Sequence, residues 1–153
     1  MMLPKKILFC TDFSENSRPA LQYAVDYAKA LSAELVVLHV INSSQIGYPS
    51  LEEGVPVDIR SALDSIQQSV SKALELVSQE CSGKLGEITT YSRVGSPAYE
   101  IVKFAEENAA GLIVMGTHGW TGFKHLIMGS TAENVVRTAC CPVLTVRSAP
   151  KSS

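Results

Sequence analysis

The clearest chemistry in this chain comes from three glycines and a pair of hydroxyls. Gly116, Gly119 and Gly129 stand at the spacing Gly-x2-Gly-x9-Gly, and Ser130 and Thr131 follow directly. The stretch GTHGWTGFKHLIMGST holds four of the ten glycines and two of the three histidines. Before it runs the apolar segment GLIVM; after it AENVVRTA repeats apolar residues at helical spacing. A glycine lets the backbone approach a ligand with no Cβ between them. The first turn of a helix offers N–H groups without intrahelical acceptors, together with a partial positive charge. Glycines that end a strand and open a helix therefore form a phosphate cradle. In it Gly116 and Gly119 turn N–H groups inward as an anion nest, with His118 and the hydroxyls of Ser130 and Thr131 as further donors.

Two familiar cradles are excluded, because neither Gly-x4-Gly-Lys-Ser/Thr nor Gly-x-Gly-x2-Gly occurs. A ligand-free reading stays open. Ser130 and Glu133 fit a capping box, which satisfies a helix start without any ligand, and Gly119 and Gly122 fit ordinary turns. Against it stands length: 12 residues separate Gly116 from Gly129, where a strand-to-helix connection takes about 2–6.

The rest of the chain alternates short apolar runs with amphipathic segments. KILFC (6–10) reads as a strand, followed by a helix carrying Ala20, Leu21, Ala24, Val25, Ala28 and Leu31, with Ser17 as its cap and Pro19 in the first turn. LVVLHVI (35–41) is a second strand. A loop over 42–56 precedes a long helix whose stripe runs from Ile59 to Val77. GEITTYSRV (86–94) is a third, polar strand, followed by a helix with Ser96 as cap and Pro97 in first position. LIVM (112–115) is the fourth strand. A last helix turns Ala132, Val135, Val136 and Ala139 inward, and PVLTVR (142–147) is the fifth strand.

Strands separated by helices imply a parallel sheet with right-handed crossovers, an α/β Rossmann-like fold with helices on both faces. Strands one, two and four are unbroken apolar runs, as strands covered on both faces must be, whereas three and five carry polar residues and suit the edges. The order 3-2-1-4-5 follows, with the winding reversing between strands one and four. Ligands of open α/β sheets bind beyond the strand ends at such a reversal. Asp12 ends strand one there and Gly116 ends strand four. As a bland alternative, Asp12 caps the following helix together with Ser14 and Ser17.

At 153 residues, 46% hydrophobic and 18% charged, with net charge −2, the chain suits a single domain over 1–147 with a short flexible tail over 148–153. It carries no basic excess that would suit a nucleic acid and no cationic run that would suit a membrane. Cys10, Cys81, Cys140 and Cys141 form no Cys-x2-Cys pair and read as small buried hydrophobes in a reducing cytoplasm. His39, inside an apolar strand, reads as a satisfied core histidine, and Lys124 and His125 as exposed loop residues. Arg93 and Arg137 read as surface residues. Trp120, Phe123, Leu126, Ile127 and Met128 read as packing on the domain or on a partner chain.

Taken in order, these pieces resemble one family. The Gly116-x2-Gly119-x9-Gly129-Ser130 spacing is similar to the nucleotide-binding signature of universal stress proteins, the UspA-like family. KILFCTDFSENSRPALQYAVDYA, LVVLHVI, RVGSPAYEIVKFA and CCPVLTVR resemble the family's opening strand and helix, second strand, Gly-x-Pro helix start and closing strand. The resemblance covers nearly the whole chain. It implies a cytoplasmic regulatory protein that binds ATP or AMP, with Mg or Mn accompanying the nucleotide, and that hydrolyses ATP slowly if at all. By position, Asp12 would meet ribose, phosphates or the metal, and the backbone of Val40 would read the adenine edge. Gly116, His118, Gly119, Gly129, Ser130 and Thr131 would hold ribose and phosphates, with Met115 and Pro97 lining the crevice. The resemblance also implies a homodimer. The last strand is an edge whose unpaired groups invite a second copy through Val143, Leu144, Thr145 and Val146. A nucleotide-free structural dimer or adaptor, and a weak ATPase, are the alternatives.

Overall fold

The computed structural model describes residues 2–46, 59–86, 88–118 and 128–148. Five parallel strands form one sheet in the order β3-β2-β1-β4-β5, as the polarity of the strands predicts. β1 (Lys6–Cys10) pairs with β2 (Glu34–Asn42) on one side and β4 (Leu112–Gly116) on the other; β3 (Ile88–Gly95) and β5 (Val143–Val146) are the edges. The third strand thus begins later and ends later than its sequence pattern suggests. Residue 87 lies outside the described residues.

Alternation along the strands divides the core into two layers. Ile7, Phe9, Leu35, Val37 and Val114 face helices α1 (Arg18–Leu31) and α2 (Ile59–Ser82). Leu8, Cys10, Val36, Leu38, Ile113 and Met115 face α3 (Pro97–Glu107) and α4 (Ser130–Thr138). Ile7, Val37, Ile113 and Val114 are fully buried, which is why β1, β2 and β4 read as continuous apolar runs. α1 buries the stripe Ala20, Leu21, Ala24, Val25 and Ala28 and stops where Ser32 takes a left-handed conformation (φ 51°).

Three details differ from the sequence expectation. α4 buries Ala132 and Val135, but Val136 is 47% exposed. α4 lies over the β4–β5 end of the sheet, where no further described helix covers its outer flank. Cys10 and Cys81 are buried, while Cys140 is exposed and Cys141 half-buried in the turn before β5; all four are free thiols. Burial pushes the Cys10 thiol pKa well up, so that side chain behaves as a neutral hydrophobe. Finally, Ser17 and Ser96 are N-caps by position only. Neither side chain caps its helix, and the Ser17 hydroxyl instead donates to the carbonyl of Ser14 at 2.7 Å.

Candidate nucleotide site

At the carboxyl ends of β1, β2 and β4 the chain leaves a cavity of about 530 Å³. Its position follows from topology: β1 leads to a helix on one face and β4 to a helix on the other, so the connections diverge. Asp12, Val40, Met115, Gly116, His118, Gly129, Ser130 and Thr131 all line it, as does Pro97. Gly119 lies outside the described residues, as do Trp120 through Ile127 and the 42–56 loop beyond residue 46.

The first wall is the turn after β1. Thr11 continues the ladder by donating its N–H to the carbonyl of Leu38 at 3.0 Å. Its hydroxyl accepts the Phe13 N–H at 2.9 Å. The Asp12 carboxylate accepts both the N–H of Ser14, at 2.9 Å, and the Ser14 hydroxyl. Asp12 is therefore an organised carboxylate at the cavity edge. The local cap-like bonds expected of it and its position at the mouth are both present.

The second wall joins β4 to α4. Thr117 is buried; its N–H donates to the Val146 carbonyl at 3.1 Å and its carbonyl accepts the Gly129 N–H at 2.6 Å. Close approach leaves little room for a side chain at either glycine. A Cβ on Gly129 would stand 3.0 Å from the Thr117 oxygen, and one on Gly116 would stand 3.1 Å from the Asn16 oxygen. Gly129, with ordinary extended angles (φ −71°, ψ 162°), is the N-cap, and Ser130 is the first helical residue. The Ser130–Glu133 capping box therefore does not form. Gly129 has no side chain with which to cap α4, and the Glu133 carboxylate accepts from Arg137 at 2.7 Å. Helix geometry leaves the N–H groups of Ser130, Thr131 and Ala132 without intrahelical acceptors, on the cavity wall.

Apolar side chains also line the cavity: Ile41, Ile46 and Ile66 belong to the core layer on the α1/α2 side of the sheet and Ile101 to that on the α3/α4 side. Sequence reasoning passed over them because an isoleucine lining a cavity has the same periodicity as one in the core. No lysine or arginine is among the described lining residues. Arg93 pairs with Glu100 and Glu107, and Arg137 with Glu133, as surface residues do. A smaller hollow of about 290 Å³, lined by hydroxyls and amides such as Ser43, Ser96 and Asn134, adjoins the cavity over Asn42, Pro97, Ser130 and Thr131. The described lining thus combines apolar side chains with uncharged hydrogen-bond donors.

The universal stress protein family model matches residues 4–147. The chain belongs to the universal stress protein family. It is similar to universal stress protein MJ0531 of Methanocaldococcus jannaschii, 39% identical over 150 residues that cover 97% of this chain and 85% of that protein. The solved structure of MJ0577, from the same organism, superposes with a TM-score of 0.84 at 32% identity, covering 96% of this chain and 98% of the other. More distant universal stress proteins share the fold. One is solved in complex with cAMP, at 22% identity and a TM-score of 0.70, over 97% of this chain and 100% of the other. Another, from Archaeoglobus fulgidus, is solved with dAMP, at 20% identity and 0.69, over 95% and 100%. In these comparisons the Rossmann-like reading of the sequence holds over the length of the chain. Among the described residues no helix is long and apolar enough to cross a membrane.

Proposed function

We propose that this universal stress protein is a regulatory module that binds an adenine nucleotide, ATP or AMP, in the cavity at the ends of β1, β2 and β4. The observation that carries the reading is the first turn of α4, which opens at a glycine with no side chain to cap it and lines the cavity between two close-packed glycines. The base would lie beside the Val40 backbone, against apolar lining side chains. Ribose and phosphates would take Asp12, Gly116, His118, Gly119, Gly129, Ser130 and Thr131. Backbone N–H groups and hydroxyls suit a phosphate chain where no lysine or arginine is among the described lining residues. The adjoining polar hollow gives room for phosphates beyond the first. The cAMP and dAMP bound by the distant relatives are ligands of the same chemical class.

Asp12 is the only acidic side chain lining the described cavity. If Mg or Mn accompanies the nucleotide, Asp12 is the carboxylate among the described lining residues that would help to hold it. When bound, such an ion would offset phosphate charge. Efficient phosphoryl transfer needs a base or water-positioning group in addition, and the Asp12 carboxylate is already turned back onto Ser14. Binding, with ATP hydrolysis slow at most, is the function this arrangement supports.

We also propose a homodimer through β5. The N–H of Ile113 donates to Pro142 and that of Thr117 to Val146. In a regular parallel ladder, Leu144 and Val146 then turn their main-chain groups to β4. Val143 and Thr145 turn theirs outward, ready for an antiparallel second copy.

Isothermal titration with ATP and with AMP, each with and without Mg²⁺, tests the binding reading. Saturable heat is expected for at least one of them. Absence of heat from all four titrations, together with no nucleotide released on denaturing freshly purified protein, overturns it. Phosphate release in the ordinary enzyme range of ~1–10³ s⁻¹ would replace the regulatory reading with a catalytic one.

A further inference from the structure

His39 was expected to be a satisfied core histidine. It is satisfied, but it is half-buried and stands at the cavity wall, beside Val40. We infer that His39 is a positioning residue, which fixes the turn carrying Asp12 by holding the residue on each side of it.

The hold on Thr11 is a hydrogen bond. His39 Nδ1 lies 2.7 Å from the Thr11 carbonyl oxygen. A carbonyl only accepts, so Nδ1 carries the proton and the ring is the Nδ1–H tautomer, with Nε2 an acceptor when neutral. The hold on Phe13 is a stack, with ring centroids 4.4 Å apart and planes 29° from parallel. Phe13 has φ 62°, a left-handed conformation that bulky L residues rarely adopt. Such a conformation persists where the surroundings over-determine it. Here the imidazole on the ring and the Thr11 hydroxyl on the N–H supply that determination. Asp12, lying between the two held residues, has its backbone direction set from β2.

Burial lowers the pKa of the ring, against the smaller opposing pull of the Thr11 hydrogen bond and the Asp12 charge. His39 is thus a neutral strut and not a cation for phosphates.

The consequence for affinity rests on the nucleotide reading; the consequence for the turn does not. Both are tested on the full chain. In the wild-type protein, nitrogen chemical shifts of the His39 ring should report the Nδ1–H tautomer, and the Nε2–H tautomer would overturn the inference. Two variants separate the two holds. His39→Phe keeps a ring for the stack and loses the donor; His39→Asn puts an amide N–H near the place of Nδ1 and loses the ring. Amide exchange at Phe13 and Ser14 should quicken in both variants, ~10-fold in His39→Phe, which loses the hydrogen bond, and ~3-fold in His39→Asn, which loses the stack, as expected for local opening of one turn. Unchanged exchange in a folded His39→Phe protein overturns the inference.

Where the wild type binds ATP, His39→Phe should weaken binding ~10-fold with Asp12 present and add less than ~2-fold in an Asp12→Asn background, the non-additivity of residues acting as one unit. Equal losses in both backgrounds would mean that His39 does not act through Asp12, and would overturn it. A wild type that binds no nucleotide sinks the proposed function alone, and the tautomer and exchange results then decide the inference by themselves.

Discussion

Gly129→Ala adds one methyl group at the tightest point of the site. The new Cβ would stand 3.0 Å from the Thr117 oxygen and 3.7 Å from the His118 Cα. The Thr117 oxygen cannot simply retreat, because it accepts the Gly129 N–H at 2.6 Å while its own residue is tied to Val146. The first turn of α4 must move outward by a few tenths of an ångström. Overpacking of this kind costs about 1–3 kcal/mol. The native angles (φ −71°, ψ 162°) suit alanine, so the loss of unfolded-state freedom returns about 0.4–1 kcal/mol. The expected net is a destabilisation on the order of 1 kcal/mol. Gly83→Ala is the control. A Cβ there meets nothing within 4 Å and the backbone is outside the left-handed region, so the same change should stabilise by about 0.5 kcal/mol. Urea unfolding with a shared m-value measures both. Displacing the α4 N–H groups should also weaken ATP binding about 10-fold in titration, equivalent to ~1.4 kcal/mol. A Gly129→Ala protein at least as stable as wild type, beside a normal Gly83 control, would refute the close-approach argument. A destabilised variant with unchanged ATP affinity would remove the phosphates from this turn.

Three further outcomes are expected. Ile113→Ala, at a fully buried centre of β4, should cost about 2–5 kcal/mol, while Leu76→Ala, at a site 66% exposed on α2, should change unfolding by no more than ~0.5 kcal/mol. Thr145→Pro removes an outward N–H without touching the ladder to β4, so light scattering should report a monomer where the wild type is a dimer; an unaltered dimer mass would place the interface elsewhere. The third concerns pH. The folded-state pKa of His39 lies below its ordinary 6.5, so as pH falls the unfolded chain takes up the proton first. Its contribution to stability is complete above about pH 6.5 and is lost as pH falls toward the folded-state value. Tm should therefore fall less between about pH 7.5 and 5 in His39→Asn than in wild type, and parallel curves would contradict the assignment.

The order of the sheet was legible because burial on two faces and burial on one leave different residues in a strand. VVLHV in an interior strand cannot be mistaken for TTYSR at the edge. The same logic located the cavity, since a reversal of winding between β1 and β4 puts Asp12 and Gly116 at one crevice. What the sequence concealed is local. Ser130 and Glu133 have the residue types of a capping box, yet one position of helix phase puts Gly129 at the cap and Glu133 beside Arg137. Val136 belongs to the apolar pattern of α4 but lies at the flank that nothing described covers. Ile66 and Ile101 share their spacing with core residues, so no periodicity could mark them as cavity lining. His39 carried one usable signal, a titratable ring next to Val40 at the end of an apolar strand, but its bond to Thr11 depends on the β1–β2 register.

Thr117 has a consequence beyond its own burial. Its amide hangs on the last strand and its carbonyl carries the cap of α4, so the two peptide units that meet at this one residue rivet the sheet's outer border to the helix end above the hollow. Tension applied at that border, whether by docking of another copy or by fraying of the carboxyl end, has a covalently short and hydrogen-bonded route to the groups proposed to grip phosphate.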